Sequence, residues 1–459
     1  MSEKKRKLLQ GYSSSGDLHL RQNVYFVEGA KNAALCDTET GAVYSVNEVG
    51  KQVLSGVMSG INLWQALETA GLANREPINV GEEFQDQIFP LDFVWFEIAT
   101  NICNERCVHC YADCVSPSDL EKYPGTALAD RMDTGEFSGN EKLSQSEWLG
   151  LIAQAYQLGA RRGQFIGGEP FMYRGEKGEN VLDLAEYGKM IGYEFIEIFT
   201  NATMINQERV DRIKDLGLNV AVSLYSTKEE IHDAITLTRG SFRKTTKALE
   251  LLKTADIPTR VEVVVMKENQ ETVEDTIKWI DDNGFSHKHP DILRPKGRGD
   301  NPLLQPDKEI LVRNGLMTRP NFIAQRENLL KNMNRNSCLA GKIAITESGE
   351  VMPCIFSRNI ILGNVRRQSL DEVINLPLTQ EVWNSTKDDV LVCQDCEYRY
   401  VCSDCRPISE AVSVGKGTFL TTPYPRCTYN PYTGEWGRGV WRVNEQCEPY
   451  YDTALLGLL

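Results

Sequence analysis

The sequence predicts an α/β protein built on a parallel sheet, flanked by a small N-terminal α+β module and a cysteine-rich C-terminal region. Strand-like runs alternate with helical stretches between residues 90 and 300, which is typical of parallel strands joined by right-handed crossovers. Residues 17–85 read as short strands followed by helices, whereas residues 301–459 lose the alternation and are rich in Cys, Pro, Gly and Tyr. We therefore expect three domains with these boundaries.

Composition excludes several classes of protein. The 459 residues are 41% hydrophobic and 25% charged, which is ordinary for a globular protein. A net charge of −14 argues against a mainly electrostatic nucleic-acid binder. No apolar run approaches the roughly 18 residues of a membrane helix, and the N-terminus lacks the apolar stretch of a signal peptide. We expect a cytoplasmic protein whose thirteen cysteines serve metal or redox sites rather than disulfides.

The N-terminal module reads as a hairpin-based sheet with two helices. The turn that ends in Gly41 suits a hairpin, and helical patterns follow at about 47–58 and 61–71. The module is too small for a large core, so we expect it to dock on a neighbour. Its strand-like runs are residues 24–27, 33–36 and 42–46.

The central region contains six predicted strands and clear helix signals. Ser144 and Glu147 form a capping box that begins a helix ending before Gly159, and a second helix runs over about 207–216. In parallel sheets ligands bind beyond the carboxyl ends of the strands. The predicted strands are residues 92–99, 163–168, 195–200, 218–225, 260–266 and 289–294.

A cysteine cluster comes directly after the first of these strands. Cys103, Cys107 and Cys110 have the spacing C-x3-C-x2-C. Thiolates are soft ligands that suit iron–sulfur clusters and zinc. Three thiolates leave one iron of a cluster open, whereas Cys114 as a fourth ligand would give an electron-transfer cluster or a structural zinc. Near the sixth strand, Arg294, Lys296 and Arg298 could hold a carboxylate or a peptide backbone, or form a solvated basic loop.

With His109 before the last cysteine, this cluster resembles the C-x3-C-x-aromatic-C signature of radical S-adenosylmethionine enzymes. The resemblance implies a partial (β/α)6 barrel and a [4Fe–4S] cluster on Cys103, Cys107 and Cys110. The open iron would bind S-adenosylmethionine, whose cleavage yields a 5′-deoxyadenosyl radical. Three later strand ends carry segments similar to the family's cofactor-binding motifs, with Ala202 in place of a usual glycine. The residues implied to bind the cofactor are Tyr111, Gly167, Gly168, Glu169, Pro170, Thr200, Asn201 and Ser223.

The residues of the Gly167–Pro170 segment suggest a role by themselves. Two glycines allow a backbone to approach a ligand closely. A carbonyl or carboxylate at this strand end can accept the ammonium group of a bound amino acid.

Eight cysteines in the C-terminal region resemble the SPASM (twitch-type) extension of radical enzymes, although two zinc ribbons would be the generic interpretation. Only two residues separate Cys402 from Cys405, where the family has three. The resemblance implies two auxiliary [4Fe–4S] clusters, three clusters in all. A substrate thiolate is the alternative to Cys447 as the fourth ligand of the first cluster. The implied ligands are Cys338, Cys354, Cys405 and Cys447 for the first auxiliary cluster, and Cys393, Cys396, Cys402 and Cys427 for the second.

The N-terminal module resembles the winged-helix-like domains that recognise leader peptides. There the leader adds as a strand to an exposed edge, and the candidate edge contains Val43, Tyr44 and Val46. Together the resemblances imply a maturase that installs a thioether or carbon–carbon crosslink in a ribosomally made precursor peptide. Its electron donor would be of the flavodoxin or ferredoxin type.

Three alternatives remain open at this point. An anaerobic sulfatase-maturing enzyme, which makes formylglycine, would carry an acidic residue at the position of Ile355. A SPASM dehydrogenase would act on a small molecule. A peptide carrier with structural zinc would have no catalytic activity.

Overall fold

The computed structural model describes residues 18–75, 90–99, 102–116, 142–316, 321–413 and 419–454. The N-terminal segment, predicted to lack a signal peptide, therefore lies outside the described residues. The strands are β1 (His19–Leu20), β2 (Val24–Glu28), β3 (Ala33–Asp37), β4 (Val43–Val46), β5 (Ala73–Asn74), β6 (Phe93–Ala99), β7 (Arg162–Gly167), β8 (Phe195–Thr200), β9 (Asn219–Ser223), β10 (Thr259–Glu262), β11 (Val264–Val265), β12 (Asp291–Ile292), β13 (Lys342–Thr346), β14 (Glu350–Met352), β15 (Gly363–Asn364), β16 (Val440–Val443) and β17 (Pro449–Asp452). The α-helices are α1 (Glu48–Leu54), α2 (Ile61–Thr69), α3 (Gln145–Gln157), α4 (Val181–Ile191), α5 (Gln207–Asp215), α6 (Glu229–Thr236), α7 (Ser241–Thr254), α8 (Val273–Asp282), α9 (Lys308–Ile310), α10 (Arg326–Asn334), α11 (Leu370–Asn375), α12 (Pro377–Asn384) and α13 (Arg406–Ser413). None of the described helices is long and apolar enough to cross a bilayer.

The chain divides into two compact units, each assembled from segments that are distant in sequence. The barrel unit is drawn from residues 89–315 and 341–380, and the cysteine-rich unit from residues 1–88, 316–340 and 381–459. Segments of the two units alternate along the chain, so the units do not correspond one to one to the three consecutive predicted domains.

The barrel unit contains an eight-stranded mixed sheet in the order β10-β9-β8-β7-β6-β13-β14-β15. Strands β6 to β10 are mutually parallel, as the alternation of strands and helices predicts. Strand β13 extends the sheet by pairing parallel to β6, and β14 and β15 follow it in antiparallel pairs. The C-terminal region therefore contributes three strands to the barrel sheet, which the sequence did not indicate.

The last predicted barrel strands are shorter than expected. The run predicted over 260–266 is interrupted at Val263, and its second part, β11, pairs in parallel with β12 as a separate two-stranded sheet. Strand β12 begins only after Pro290, because proline has no N–H for the ladder. Each of the six predicted ranges thus contains a strand, and the strand in the sixth range, β12, has only two residues.

Helix α3 shows how local sequence places an element of the barrel. The Ser144 hydroxyl accepts a hydrogen bond from Glu147 N at 3.2 Å, and Ser144 N donates to the Glu147 carboxylate at 2.7 Å. The predicted capping box is therefore confirmed. Gly159 has φ +110°, and a Cβ there would lie 2.4 Å from Pro90. The helix thus ends at a residue that only glycine can occupy comfortably.

The N-terminal segment forms a three-stranded antiparallel sheet, β2-β3-β4, inside the cysteine-rich unit. The predicted hairpin turn is present, since Gly41 N donates to Asp37 O at 2.9 Å and Gly41 has φ +82°. One sheet face packs Phe26 and Leu35 against residues of α1 and α2. The other face packs Tyr25 and further residues against α10 and Tyr400. Strands β2 and β3 of this sheet are buried on both faces, in agreement with the expectation that the module docks on a neighbour.

Candidate active site

The first cysteine cluster lies on a loop that leaves the carboxyl end of β6, as predicted. The loop closes on itself, since Ile102 bridges Val115 and Cys103 N donates to Val115 O at 3.1 Å. Within it, Cys110 N donates to Cys107 O at 3.2 Å. These backbone bonds hold the three predicted cluster ligands on one short, ordered segment.

The three thiols lie close enough to influence one another electrostatically. Burial raises the pKa of Cys103 and of Cys107, and the negative charges of neighbouring acidic groups and thiolates raise both further. Cys110 has a pKa lowered to about 6, chiefly because the Cys114 thiol donates a hydrogen bond to it. Cys114 is itself buried.

This donor set suits an iron–sulfur cluster. Three neighbouring soft donors, one buried and two half-buried, repel one another when ionised and need a cationic group to neutralise them. No three His, Cys, Asp or Glu side chains in the described part of the chain converge on a point that would bind a single metal ion. The thiolates of a [4Fe–4S] cluster each bind a separate iron.

Glu105 connects the cysteine loop to helix α7, a role that the sequence analysis missed. Its carboxylate accepts a hydrogen bond from the Ser241 hydroxyl and lies 3.7 Å from the Cys107 sulfur. Burial raises the pKa of Glu105 to about 7, and the Ser241 hydrogen bond opposes this shift. The only signal in the sequence was an acidic residue placed between two clustered cysteines.

His232 continues this chain of hydrogen bonds. Its Nδ1 accepts from Tyr225 N at 3.3 Å, so Nε2 carries the hydrogen that is directed to the Ser241 hydroxyl at 3.2 Å. Burial lowers the pKa of His232 to about 4, so the ring is neutral at pH 7. Residues near Ser241, to which the sequence assigned no chemistry, thus support the cysteine loop.

Arg298 fixes the cysteine loop from its other side. Its Nε donates to Cys107 O at 3.0 Å and its Nη1 to Cys114 O at 2.7 Å, while its backbone N donates to Cys110 O at 3.0 Å. Gly297 has φ +55°, and a Cβ there would lie 2.4 Å from Cys110 O. The basic segment was predicted to bind a carboxylate or a peptide backbone, or to be solvated. Arg298 binds backbone carbonyl groups, and these belong to the cysteine loop itself.

The glycine pair at the end of β7 packs against the same loop. Gly168 N donates to Ala99 O at 2.6 Å, and Glu169 N donates to Ile102 O at 3.2 Å. A Cβ on Gly168 would lie 2.0 Å from Ile102 O, and one on Gly167 would lie 3.1 Å from the Ala99 backbone. On the side where a Cβ would lie, the chain's own backbone approaches both glycines, and the approach to a ligand stays a prediction.

Glu169 is fully buried and already has three donors. Its carboxylate accepts from Phe171 N at 3.0 Å, Thr200 Oγ1 at 2.7 Å and Asn201 N at 2.9 Å. Burial raises its pKa, and these hydrogen bonds oppose the shift. Pro170 begins the short 3-10 turn that follows. A carbonyl and a carboxylate were the two acceptors predicted for an ammonium group. The Glu169 carboxylate joins the ends of β7 and β8, so a backbone carbonyl is favoured as the acceptor.

Asn201 links the end of β8 to the cysteine loop. Its Nδ2 lies 2.9 Å from Asn104 Oδ1 and 3.8 Å from the Cys103 sulfur, and its Oδ1 accepts from Thr203 N at 3.0 Å. Ala202 next to it has φ +63°, a left-handed conformation that costs an L-residue roughly 1–2 kcal/mol. A glycine would adopt this conformation without that cost.

Tyr111 and Ser223 have buried surroundings in the barrel. The Tyr111 hydroxyl lies 3.5 Å from Glu97 Oε1, and Glu97 also accepts from Arg358 Nη1 at 2.7 Å. Ser223 ends β9, and it influences the nearby phenol of Tyr225, whose pKa burial raises. The predicted cofactor residues of the barrel therefore share the strand-end side of the sheet with the cysteine loop.

In the cysteine-rich unit, four of the predicted cluster ligands come together. The pKa of Cys396 is raised by burial and then by the charges of Glu397, Cys393, Cys402 and Cys427. Cys447 differs from all twelve other cysteines because it alone is exposed. It has φ +63° in the turn between β16 and β17. Cys338 and Cys405 also belong to this unit, whereas Cys354 belongs to the barrel unit.

The candidate leader-binding edge is accessible. Strand β4 pairs with β3 alone among the described strands, and Tyr44 on it is 43% exposed. Val43 and Val46 are half-buried. The other edge of β4 thus has no partner among the described strands, and its use by a leader peptide stays a prediction.

The sequence matches two family models and several curated proteins. Residues 98–280 match the radical SAM superfamily, and residues 338–406 match SPASM, an iron–sulfur cluster-binding domain. The AdoMet-dependent heme synthase of Methanosarcina barkeri is 25% identical over 362 residues, which are 72% of this chain and 94% of that protein. The antilisterial bacteriocin subtilosin biosynthesis protein AlbA of Bacillus subtilis is 25% identical over 375 residues, 78% of this chain and 76% of that protein.

The fold resembles that of a solved protein. The crystal structure of SuiB from Streptococcus suis is 13% identical and superposes with a TM-score of 0.52 over 89% of this chain and 99% of SuiB. At this identity the likeness concerns the fold, and it confirms the predicted partial barrel with a C-terminal extension. The chain is thus a member of the radical SAM superfamily with a SPASM domain, and its cofactors are iron–sulfur clusters and S-adenosylmethionine.

Proposed function

We propose that this protein matures a precursor peptide by removing a hydrogen atom and installing an intramolecular thioether or carbon–carbon crosslink. The observation that carries the proposal is the loop of three thiols, one buried and two half-buried, fixed at the strand ends of a radical SAM barrel. A relative of similar length makes a bacteriocin, and β4 offers an unpaired edge for a peptide strand.

The first cluster would be held by Cys103, Cys107 and Cys110. When bound, the cluster and S-adenosylmethionine supply a 5′-deoxyadenosyl radical. Arg298 and Glu105 hold the loop in place, one through carbonyl groups and the other through Ser241. The remaining predicted residues would orient the cofactor at the ends of β7, β8 and β9.

The crosslinking step balances as the loss of two hydrogens from the peptide. One hydrogen atom leaves in 5′-deoxyadenosine. Closure of the carbon-centred radical onto a thiol, a ring or another carbon releases one proton and one electron. The electron would pass to an auxiliary cluster and from there to an external carrier of the flavodoxin or ferredoxin type. The same carrier would return one electron to the first cluster for the next cleavage, so no net electron is consumed.

Two auxiliary clusters would complete a set of three. Cys393, Cys396, Cys402 and Cys427 would hold the second, which is supported by their mutual electrostatic influence. The first would be held by Cys338, Cys354 and Cys405. The exposed position of Cys447 favours an open iron on the first auxiliary cluster over a fourth cysteine ligand.

The leader peptide would add to the free edge of β4 as an antiparallel or parallel strand. Main-chain hydrogen bonds would supply affinity, and side chains such as Tyr44 would supply specificity. This arrangement places recognition in the cysteine-rich unit and hydrogen abstraction in the barrel unit. Peptide binding and cofactor cleavage are therefore expected to be separable by mutation.

A second candidate is chemistry on a small molecule, since a heme synthase matches this chain at the same identity. That alignment covers nearly all of the heme synthase but leaves more than a quarter of this chain unmatched. The additional length, together with the peptide-edge geometry of β4, favours a peptide substrate. A sulfatase-maturing role is disfavoured because Ile355, a buried apolar residue, stands where a catalytic acid is needed.

The central experiment uses protein reconstituted without oxygen. Iron and sulfide are counted per chain, and 5′-deoxyadenosine is measured after reduction with dithionite. We expect about twelve irons for three clusters, and cleavage that is lost in Cys103→Ala but kept in Cys36→Ala, a matched buried cysteine outside the clusters. Zinc without cofactor cleavage would refute the enzyme proposal.

The peptide substrate is tested with short open reading frames beside the gene. Incubation of such a peptide with the enzyme should lower its mass by two hydrogens. Tyr44→Asp should abolish this modification while leaving cofactor cleavage intact. Tyr450→Asp, at a tyrosine of similar exposure on β17, serves as the matched control. Equal loss of modification in both variants would exclude β4 as the recognition edge.

A further inference from the structure

We propose that Arg406, Lys387 and Asp404 together set the reduction potential of the auxiliary clusters, with the two cations raising it and Asp404 lowering it. The inference rests on the auxiliary clusters of the proposed function. It concerns the charges of these side chains near the clusters, since none of the three is proposed as a cluster ligand.

The three residues form a buried charged group with one cation in excess. Lys387, Asp404 and Arg406 have relative exposures of 5%, 2% and 1%. Lys387 Nζ lies 2.9 Å from Asp404 Oδ2, and Arg406 also pairs with that carboxylate. Arg406 Nη1 donates to Phe419 O at 3.1 Å and to Thr422 O at 2.9 Å. One buried carboxylate therefore has to neutralise two buried cations.

Arg406 has a donor that its protein surroundings do not use. Its buried Nε has no hydrogen-bond acceptor among the described residues. A buried N–H without a partner costs roughly 1–3 kcal/mol, so an acceptor other than the described residues is expected at this nitrogen. The sulfur atoms of a cluster are such acceptors.

The same cations act on the predicted cluster ligands. Arg406 interacts electrostatically with Cys393 and Cys338, and Lys387 interacts with Cys393 and Cys402. Both cations favour the thiolate forms of Cys393 and Cys402. Arg406 thus influences a proposed ligand of each auxiliary cluster, one from each ligand set.

The physical consequence is a bias in electron affinity. A [4Fe–4S] cluster with cysteine ligands becomes more negative on reduction, and its potential depends on nearby charge, hydrogen bonds to its sulfurs and solvent exposure. A buried cation stabilises the reduced form because the low interior dielectric screens little. An auxiliary cluster beside these cations accepts the electron released on crosslinking more readily.

The test compares auxiliary-cluster potentials in full-length, reconstituted variants by redox titration followed with electron paramagnetic resonance. Arg406→Gln should shift the oxidised-to-reduced ratio at fixed potential at least tenfold toward oxidised, about 59 mV for a one-electron couple. Lys387→Gln should shift it in the same direction, and Asp404→Asn in the opposite one. Arg75→Gln, an exposed arginine paired with Glu68, should change nothing.

Opposite signs separate this proposal from a purely structural role. A structural role would lower iron content or alter the potentials of all three variants in one direction, which would overturn the proposal. Unchanged potentials at full iron content would overturn it too, while leaving the proposed maturase intact. Should Arg406→Gln fail to fold, the opposed shifts of Lys387→Gln and Asp404→Asn decide the question. A wild-type protein with only one cluster would refute both this inference and the proposed cluster count.

Discussion

Replacing Gly168 by alanine should disrupt the cysteine loop without touching a thiol. The new Cβ would lie 2.0 Å from Ile102 O, 2.6 Å from Ile102 C and 2.8 Å from Ala99 O. These are backbone atoms, so the loop itself must move by about 1.4 Å to bring Ile102 O from 2.0 Å to an ordinary contact of 3.4 Å. The movement strains the bonds from Gly168 N to Ala99 O and from Glu169 N to Ile102 O. At about 1 kcal/mol for each bond and about 1–3 kcal/mol for overpacking, the cost is roughly 3–5 kcal/mol.

The assay measures iron retention after gel filtration and the unfolding midpoint of the apoprotein. We expect Gly168→Ala to lose first-cluster iron and cofactor cleavage while keeping the auxiliary clusters. Gly150→Ala is the matched control, because Gly150 lies inside α3 and a Cβ there meets nothing within 4 Å. That change should stabilise the protein by up to about 1 kcal/mol, through helix propensity. Normal iron content and an unchanged midpoint in Gly168→Ala would refute the close-packing argument.

Three further predictions follow from the site. Arg298→Met removes the donors to Cys107 O and Cys114 O and should cost about 2 kcal/mol, seen as faster iron loss from the first cluster; equal loss rates would contradict it. His232 has a pKa lowered to about 4 by burial, below its value of about 6.5 when unfolded, so its contribution is complete above pH 6.5 and is lost as pH falls from 6.5 to 4. It amounts to about 3 kcal/mol. The free energy of unfolding of the apoprotein, measured with urea, should therefore decrease as pH falls over that window, and less steeply in His232→Gln. Cys447→Ala should retain all iron because Cys447 is exposed; loss of iron would make it a ligand.

Short-range patterns predicted the architecture well. The capping box at Ser144, the hairpin ending in Gly41 and the strands around Phe96 and Ile198 depend on neighbouring residues alone. Their physical causes, which are hydrogen bonding across one turn and alternation of side chains, are visible in the sequence. The parallel order of β6 to β10 then follows from the crossover rule.

The same short-range patterns could not predict which distant segments contact one another. Nothing local to β13 indicates that it pairs with β6 across about 250 residues. Gly167 and Gly168 predicted a close approach of backbone to a ligand; the structure adds that the backbone at Ala99 and Ile102 lies against them, which no local pattern indicated. A glycine signals that space is needed and does not say which group occupies it.

By itself, the sequence determined the fold class, the cysteine spacing and the family to which the chain belongs, because these depend on residue type and on distance along the chain. Only the tertiary structure decided what surrounds each thiol. It brought Glu105, Ser241 and His232 together and turned Arg298 onto the cysteine loop. It also buried Arg406 beside two predicted cluster ligands and left Cys447 in solvent. Burial and partner identity decide charge and hydrogen bonding at a site, and both arise from contacts between residues that the sequence holds far apart.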